Sequence, residues 1–393
     1  MLKQSDKVSI KQLLELIPDQ ELAKLSVSTK VDYQVKTLYG KSMFYLLLYG
    51  LITCEKTSLR GLEDIFNSAR FKILFKLDAE QSTRYNSLSD RLATMELSFF
   101  EKAYELIYKI FKEKFSEKEA SAYNIVRVDS TMVAETANKL SKGMSVGCKK
   151  DGKKQVKFTL CLEDLFPSSV QIFTQQSDLS EDRTIPNTIL KVIDPSKNTV
   201  FVFDRGVSSR QAYTDISDKD WKFVTRMKNN VRYQIIRAIP ITSFDSELSN
   251  LTIVSDELIY LYGKGNKLTS HSYRLVKAKN TGGKIYLFLS NLIDKPAEDI
   301  IKIYKKRWGI EVFFRFIKQE LNFSHFISTN DNGIKIILYM TLIASMLIHV
   351  FKKSEKVGYK TAKRRIRMAL EDIITIQIVI AAGGDPNLVF RSP

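Results

Sequence analysis

The apolar residues of this chain change their period once, near residue 122, and that change sets what the chain can fold into. Before it, Ile10 to Ile17, Ser42 to Leu51, Ser58 to Phe66, Leu88 to Met95 and Leu97 to Phe115 repeat apolar side chains every three or four residues, the period of amphipathic helices. After it, Tyr123 to Val128, Val156 to Leu162 and Ser169 to Thr174 are short runs of β-branched and aromatic residues that read as strands. Thr184 to Val192 returns to a helical pattern, and Thr199 to Phe203 is the continuous apolar run of a strand buried on both faces. A helix from Ser208 to Ile216 and a strand from Lys222 to Arg226 close the series, which is α/β in class.

Two strands of that series end in aspartate, the first at Asp129 and the fourth at Asp204, with 204 − 129 = 75 residues between them. If these strands are sheet neighbours, both carboxylates stand at adjacent strand ends and form an oxygen cage suited to a hard divalent cation. A strand-end aspartate is also an ordinary turn residue, so neither one alone carries the argument.

A third acid is found in Tyr304-Lys-Lys-Arg307-Trp-Gly-Ile-Glu311-Val-Phe-Phe-Arg-Phe-Ile-Lys318. Read as one continuous helix at about 100° per residue, Tyr304, Arg307, Glu311 and Lys318 fall within about 60° of one another, along about 21 Å of axis. Ile303, Ile310, Phe313, Phe316, Ile317 and Leu321 take the opposite side, which would bury against a sheet. One carboxylate thus stands in a row with a phenol and two cations, a length that suits a tracked polyanion. The plain alternative is a solvated, charged helix face.

The spacing Y-x2-R-x3-E-x6-K resembles the signature of the insertion-sequence-four group of DDE transposases, and the strand order resembles their ribonuclease-H-like core. The resemblance implies a metal-dependent DNA transposase that cuts at the ends of its element and joins them to target DNA, with or without a hairpin. It implies Asp129, Asp204 and Glu311 as catalytic metal ligands for two Mg²⁺ ions, for which Mn²⁺ can substitute. Tyr304, Arg307 and Lys318 would hold DNA, and Arg226 and Lys228, after the last core strand, are further DNA-binding candidates or ordinary surface cations. A ribonuclease-H-like nuclease without strand transfer shares these acids, and a non-catalytic DNA-binding regulator of transposition shares the ancestry. One departure stands out: Gly206 fits the pattern after the second aspartate, but Ser209 occupies a position where the family commonly has an aromatic residue, and Tyr213 is the nearest substitute.

The expected layout is a helical DNA-binding domain over 1–121, the first part of the core over 122–230, a β-rich insertion over 231–294, the core helix with Glu311 over 295–326 and a helical C-terminal region over 327–393. The insertion is read from Val231 to Ile239, Leu251 to Tyr262, Ser272 to Ala278 and Lys284 to Leu289, with Gly-containing turns between them. By the resemblance, the helical N-terminal region recognises the inverted-repeat ends of double-stranded DNA, and joining two ends implies a homodimer on DNA.

A net charge of +17 independently predicts attraction to a polyanion, nucleic acid or an anionic membrane surface. The N-terminal residues lack the apolar core of a secretion signal, so a cytoplasmic, nucleoid-associated protein without a membrane role is expected. The apolar run Ile336 to Phe351 falls short of the roughly 20 residues of a bilayer span and reads as a buried helix. Cys54, Cys148 and Cys161, like His271, His325 and His349, are scattered without zinc-site spacing.

Overall fold

The computed structural model describes residues 8–115, 123–146, 152–164, 166–192, 195–196, 198–241 and 250–389. Two compact units emerge, one of Met1–Ser116, Val133–Lys154 and Arg315–Pro393, the other of Glu117–Met132 and Gln155–Phe314. Cys148 and the period change near 122 lie outside the described residues.

The first unit opens with α1 (Ile10–Glu15), α2 (Asp19–Thr29), α3 (Gly40–Thr53), α4 (Leu59–Asn67), α5 (Ala69–Phe75), α6 (Tyr85–Thr94) and α7 (Leu97–Phe115). Serines start three of them: Ser9, Ser58 and Ser68 accept hydrogen bonds from the backbone N–H of Gln12, Gly61 and Phe71. Such caps satisfy donors that the first helical turn leaves unpaired.

The second unit is built on a sheet. Its strands come from β1 (Asn124–Thr136), β3 (Lys153–Glu163), β4 (Phe166–Phe173), β5 (Thr199–Phe203), β6 (Lys222–Met227), β7 (Tyr233–Ala238), β8 (Leu251–Leu261), β9 (Tyr273–Asn280) and β10 (Ile285–Ser290), while the short β2 (Met144–Val146) belongs to the first unit's residues. The order is β3-β1-β5-β6-β10-β9-β8-β7, with β4 paired to β3. β5 is buried at every residue and runs parallel to both β1 and β6, as its continuous apolar sequence requires. From β6 onward the pairing is antiparallel, so β7–β10 extend the same sheet.

The two-residue period of the strands sorts their side chains onto two faces. Val126, Val128, Phe201, Phe203 and Phe223 join a cluster with Ile185 and Ile189 of α8 (Glu181–Ile189) and with Tyr213 and Ile216 of α9 (Arg210–Asp218). Ile125, Val200, Val202 and Val224 join the other, with Ile300, Ile301 and Tyr304 of α10 (Ala297–Lys305).

The stretch read as one helix from Tyr304 to Lys318 is two. α10 ends at Lys305, Lys306 and Arg307 form a turn, and α11 runs over Trp308–Glu320. The cause is visible at the carbonyl of Lys306, which accepts from Gly309 N–H (3.2 Å) and from the Nε of Arg127 (2.6 Å). A side chain inserted into the hydrogen-bond ladder is one of the few causes of a sharp helix break. The phase relation between Tyr304 and the residues after it is therefore not that of a continuous helix.

α12 (Asp331–Glu355), α13 (Tyr359–Ala381) and α14 (Pro386–Val389) complete the first unit. α12 packs on α3, α6, α7 and α13. At 25 residues it is longer than its apolar run and meets the length and composition of a membrane span, but 89% of its most apolar window is buried within the protein. A helix apolar on all sides and enclosed by its neighbours is a core helix.

Candidate active site

Strand parity and register bring the acids together. Ile125 faces α10, so Arg127 and Asp129, two and four residues on, share that face; Val200 and Val202 do the same for Asp204. The parallel register pairs Arg127 with Val202, an offset of 75, and the same offset two residues on sets Asp129 level with Asp204.

The side chains of the turn and the two helices close on this pair. Tyr304, buried at the end of α10 with its ring edge-on to Phe288, donates its hydroxyl to Asp204 Oδ1 at 2.9 Å. Arg307 donates from Nη1 to Asp129 Oδ2 at 3.2 Å and from Nη2 to Glu311 Oε1. One guanidinium thus bridges two of the three predicted acids, and a phenol holds the third.

The electrostatics follow from that packing. Burial pushes the Asp129 carboxyl up to about 6; the Ser130 N–H and Arg307 oppose this, while Glu181 and Asp204 add to it. Tyr304 is pushed up to about 12, by burial first and then by the charge of Asp204. Burial alone would lower Arg307, yet Tyr304, Glu311, Asp129 and Asp204 hold it above the ordinary arginine value. Among the described residues the buried Nε of Arg307 has no hydrogen-bond partner, nor has that of Arg226, whose guanidinium lies 4.8 Å from the Tyr286 ring centre and 5.9 Å from that of Tyr304. Two buried donors of one charge sign thus stand close to Tyr304.

Not every predicted residue joins this group. Lys228 lines a separate open cleft of about 1010 Å³ with Arg210, Arg232, Lys264 and Lys267. Lys318 is in the last turn of α11, seven residues from Glu311 or about 10 Å along the axis, where burial lowers its pKa. Ser209, found where an aromatic was expected, caps α9 by accepting from Ala212 N–H, and its own N–H donates to Asp182 at 2.7 Å. Asp182 also accepts from the Ser208 hydroxyl at 2.8 Å, which fixes the loop after Asp204. Tyr213 is a core residue donating to the Val207 carbonyl at 2.6 Å. Gly206 lies where a Cβ would stand 3.0 Å from Glu181 Cγ, a tight approach of the loop to α8.

Further polar groups lie behind Asp129 that carry no local signature in the sequence. Ser130 shares a hydrogen bond with Thr159 and donates to Glu181, each at 2.9 Å. Glu181 pairs at 3.1 Å with Lys157, which is fully buried and also donates to the Leu179 carbonyl at 2.7 Å. Nothing in the spacing of Glu181 announces it, but a lysine and an arginine (Lys157, Arg127) inside otherwise apolar strands were signals available in the sequence.

Carboxylates are the donors that a hard divalent cation takes, and the charges of Glu181 and Asp204 add to the burial that raises Asp129. Among the described residues no group of three or more His, Cys, Asp or Glu is gathered closely enough to hold a metal. Arg307 instead bridges Asp129 and Glu311.

Over 96% of this chain and 83% of the other, the structure superposes on a piggyBac transposase, solved by cryo-EM as a synaptic complex with hairpin DNA, with a TM-score of 0.52 and 9% identity. At that identity the likeness is one of fold, a mixed α/β architecture with a large sheet and many helices. Residues 120–347 match the transposase DDE domain, and the chain belongs to that family. Its relatives include a protein named as transposase y4zB of Sinorhizobium fredii, 27% identical over 46% of this chain and 50% of the relative. Another, named as the transposase of insertion sequence element IS4SA of Synechocystis, is 26% identical over 75% of this chain and 84% of the relative. A third, named for insertion sequence element IS5377 of Geobacillus stearothermophilus, is 27% identical over 38% of each chain. The chain spans about half the length of the first of these. Membership of this family carries dependence on divalent metal in general.

Proposed function

We propose that the chain is the transposase of an insertion sequence of the four group, cutting double-stranded DNA at the inverted-repeat ends of its element and joining the freed ends to target DNA. The observation that carries this reading is the convergence of Asp129, Asp204 and Glu311 on Arg307 and Tyr304. Asp129, Asp204 and Glu311 would hold two Mg²⁺ ions, which when bound activate an attacking oxygen and offset charge on the phosphorus. Arg307 and Arg226 each bring a buried Nε–H, unpaired among the described residues, for a phosphate oxygen, and Arg307 can turn its fork from carboxylate to phosphate, the two anions it matches geometrically. Tyr304 holds Asp204 by its hydroxyl and is kept protonated by its burial. Lys318 would grip a phosphate further along the strand and Lys228 one in the basic cleft.

The finer layout belongs to the same reading. Residues 1–121 recognise the element ends, 231–294 are an insertion in the core continuing its sheet, 295–326 carry Glu311, and two copies act together on paired ends at the nucleoid.

The test uses a duplex carrying the inverted repeat that flanks the gene, with Mg²⁺. Wild type is expected to nick and then join it to a plasmid, whereas Glu311→Gln binds the duplex in a gel shift and leaves it uncut. Cleavage by Glu311→Gln at the wild-type rate would sink the assignment, and cleavage without joining would reduce the activity to that of a nuclease.

A further inference from the structure

We propose that Arg127 is a positioning residue of the active site, acting through the turn between α10 and α11 to set Arg307 and Glu311 against Asp129; this rests on the transposase reading above. Arg127 stands two residues before Asp129 on the same face of β1 and is buried, 9% exposed. Burying an arginine is costly unless its donors find hydrogen-bond partners. Here Nε donates to the Lys306 carbonyl at 2.6 Å and Nη1 to the Asp164 carbonyl at 2.9 Å, so one side chain ties β1, the β3–β4 turn and the α10–α11 turn.

The bond to Lys306 falls where the helix breaks. In an unbroken helix that carbonyl would accept from Ile310, four residues on. It accepts from Gly309 instead, at 3.2 Å, and Ile310 donates to Arg307 at 3.0 Å. The break has a use: Tyr304 stays on α10, buried against the sheet and bonded to Asp204, while Arg307 in the turn bonds both Asp129 and Glu311 of α11. Gly309 completes the device, because a Cβ there would lie 3.0 Å from Arg127 Nε and 3.3 Å from its Cδ. Arginine at 127 and glycine at 309 are thus two halves of one arrangement.

The experiment compares full-length wild type, Arg127→Ala, Arg127→Lys, Gly309→Ala and the Arg127→Ala/Gly309→Ala double variant on the flanking-repeat duplex. Cleavage rate, KM for DNA, gel-shift affinity, thermal melting and Mn²⁺ bound to the protein–DNA complex by electron paramagnetic resonance are measured. A misplacement of about 1 Å costs about 100-fold in rate. Arg127→Ala is therefore expected to lose about that factor in kcat, with KM and gel-shift affinity within about two-fold of wild type and weaker Mn²⁺ binding. Arg127→Lys, able to reach one carbonyl, should recover part of the rate. Gly309→Ala should slow wild type but add nothing in the Arg127→Ala background, the non-additivity expected of one shared contact. The proposal is overturned if Arg127→Ala cuts at the wild-type rate, if its loss tracks lower DNA affinity and melting with no recovery in Arg127→Lys, or if the two losses add. Should Arg127→Ala fail to fold, Gly309→Ala, which keeps every side-chain bond partner, decides alone by its kcat. Wild type that does not cut, or Glu311→Gln that does, would indict the functional reading instead.

Discussion

At the scale of single residues, Asp129 shows that the site is built against the stability of the fold. Its carboxyl, held by burial up to about 6 against an ordinary 3.8, keeps its proton in the folded protein to a higher pH than in the unfolded one. Ionisation above that pH therefore weakens folding: the stabilising contribution is complete below about pH 4 and is lost as pH rises through about 6, on the order of 2–3 kcal/mol. Asp129→Asn escapes this. In urea unfolding with a chelator present, its stability relative to wild type is expected to rise between about pH 4.5 and 7.5, while DNA cleavage disappears; a pH-independent difference would contradict the buried charge as its cause. The acids were legible because strand ends and a fixed motif spacing are written in local sequence. Glu181 and Lys157 were not, since their link to Asp129 runs through Ser130 and the packing of α8 on the sheet, which no local pattern encodes.

At the scale of elements, α12 offers a direct test of local sequence. Asn330 caps it, its Oδ1 accepting from Asn332 N–H at 2.8 Å and Gly333 N–H at 3.3 Å. Asn330→Ala is expected to lower stability by about 1 kcal/mol, the usual value of such a cap, while Asn330→Asp keeps it; equal melting of all three proteins would show that the cap carries no weight. The period-reading of strands succeeded because alternate residues were sorted by two apolar faces. The reading of Tyr304 to Lys318 as one helix failed because apolar spacing runs on through residues 306–307 and the cause of the break lies on β1. The break also lets α11 start at Trp308, so its positive end stands within one turn of Glu311. About half a unit of positive charge is fixed there, where an unbroken helix would have only paired peptides.

At the scale of the whole molecule, the net charge of +17 makes the proposed DNA binding sensitive to salt. Affinity for the flanking-repeat duplex is expected to fall steeply with salt, with a log–log slope of about −0.9 per neutralised phosphate. Arg226→Gln and Lys318→Gln should each make the slope shallower by about 1; unchanged slopes would remove those residues from the DNA path. Sequence placed β7–β10 after the core but gave no partner for them, because register between distant antiparallel strands is decided by pairing and not by local composition. Their pairing has a consequence for how such a chain can be altered. β10 covers β6 from Val224 to Met227, so removing residues 231–294 would strip the parallel strands of their neighbour. The result would be an exposed apolar strand edge, open to pairing with other chains. The β7–β10 segment is in this sense not detachable: a chain trimmed to its catalytic strands would be expected to aggregate before it could be assayed.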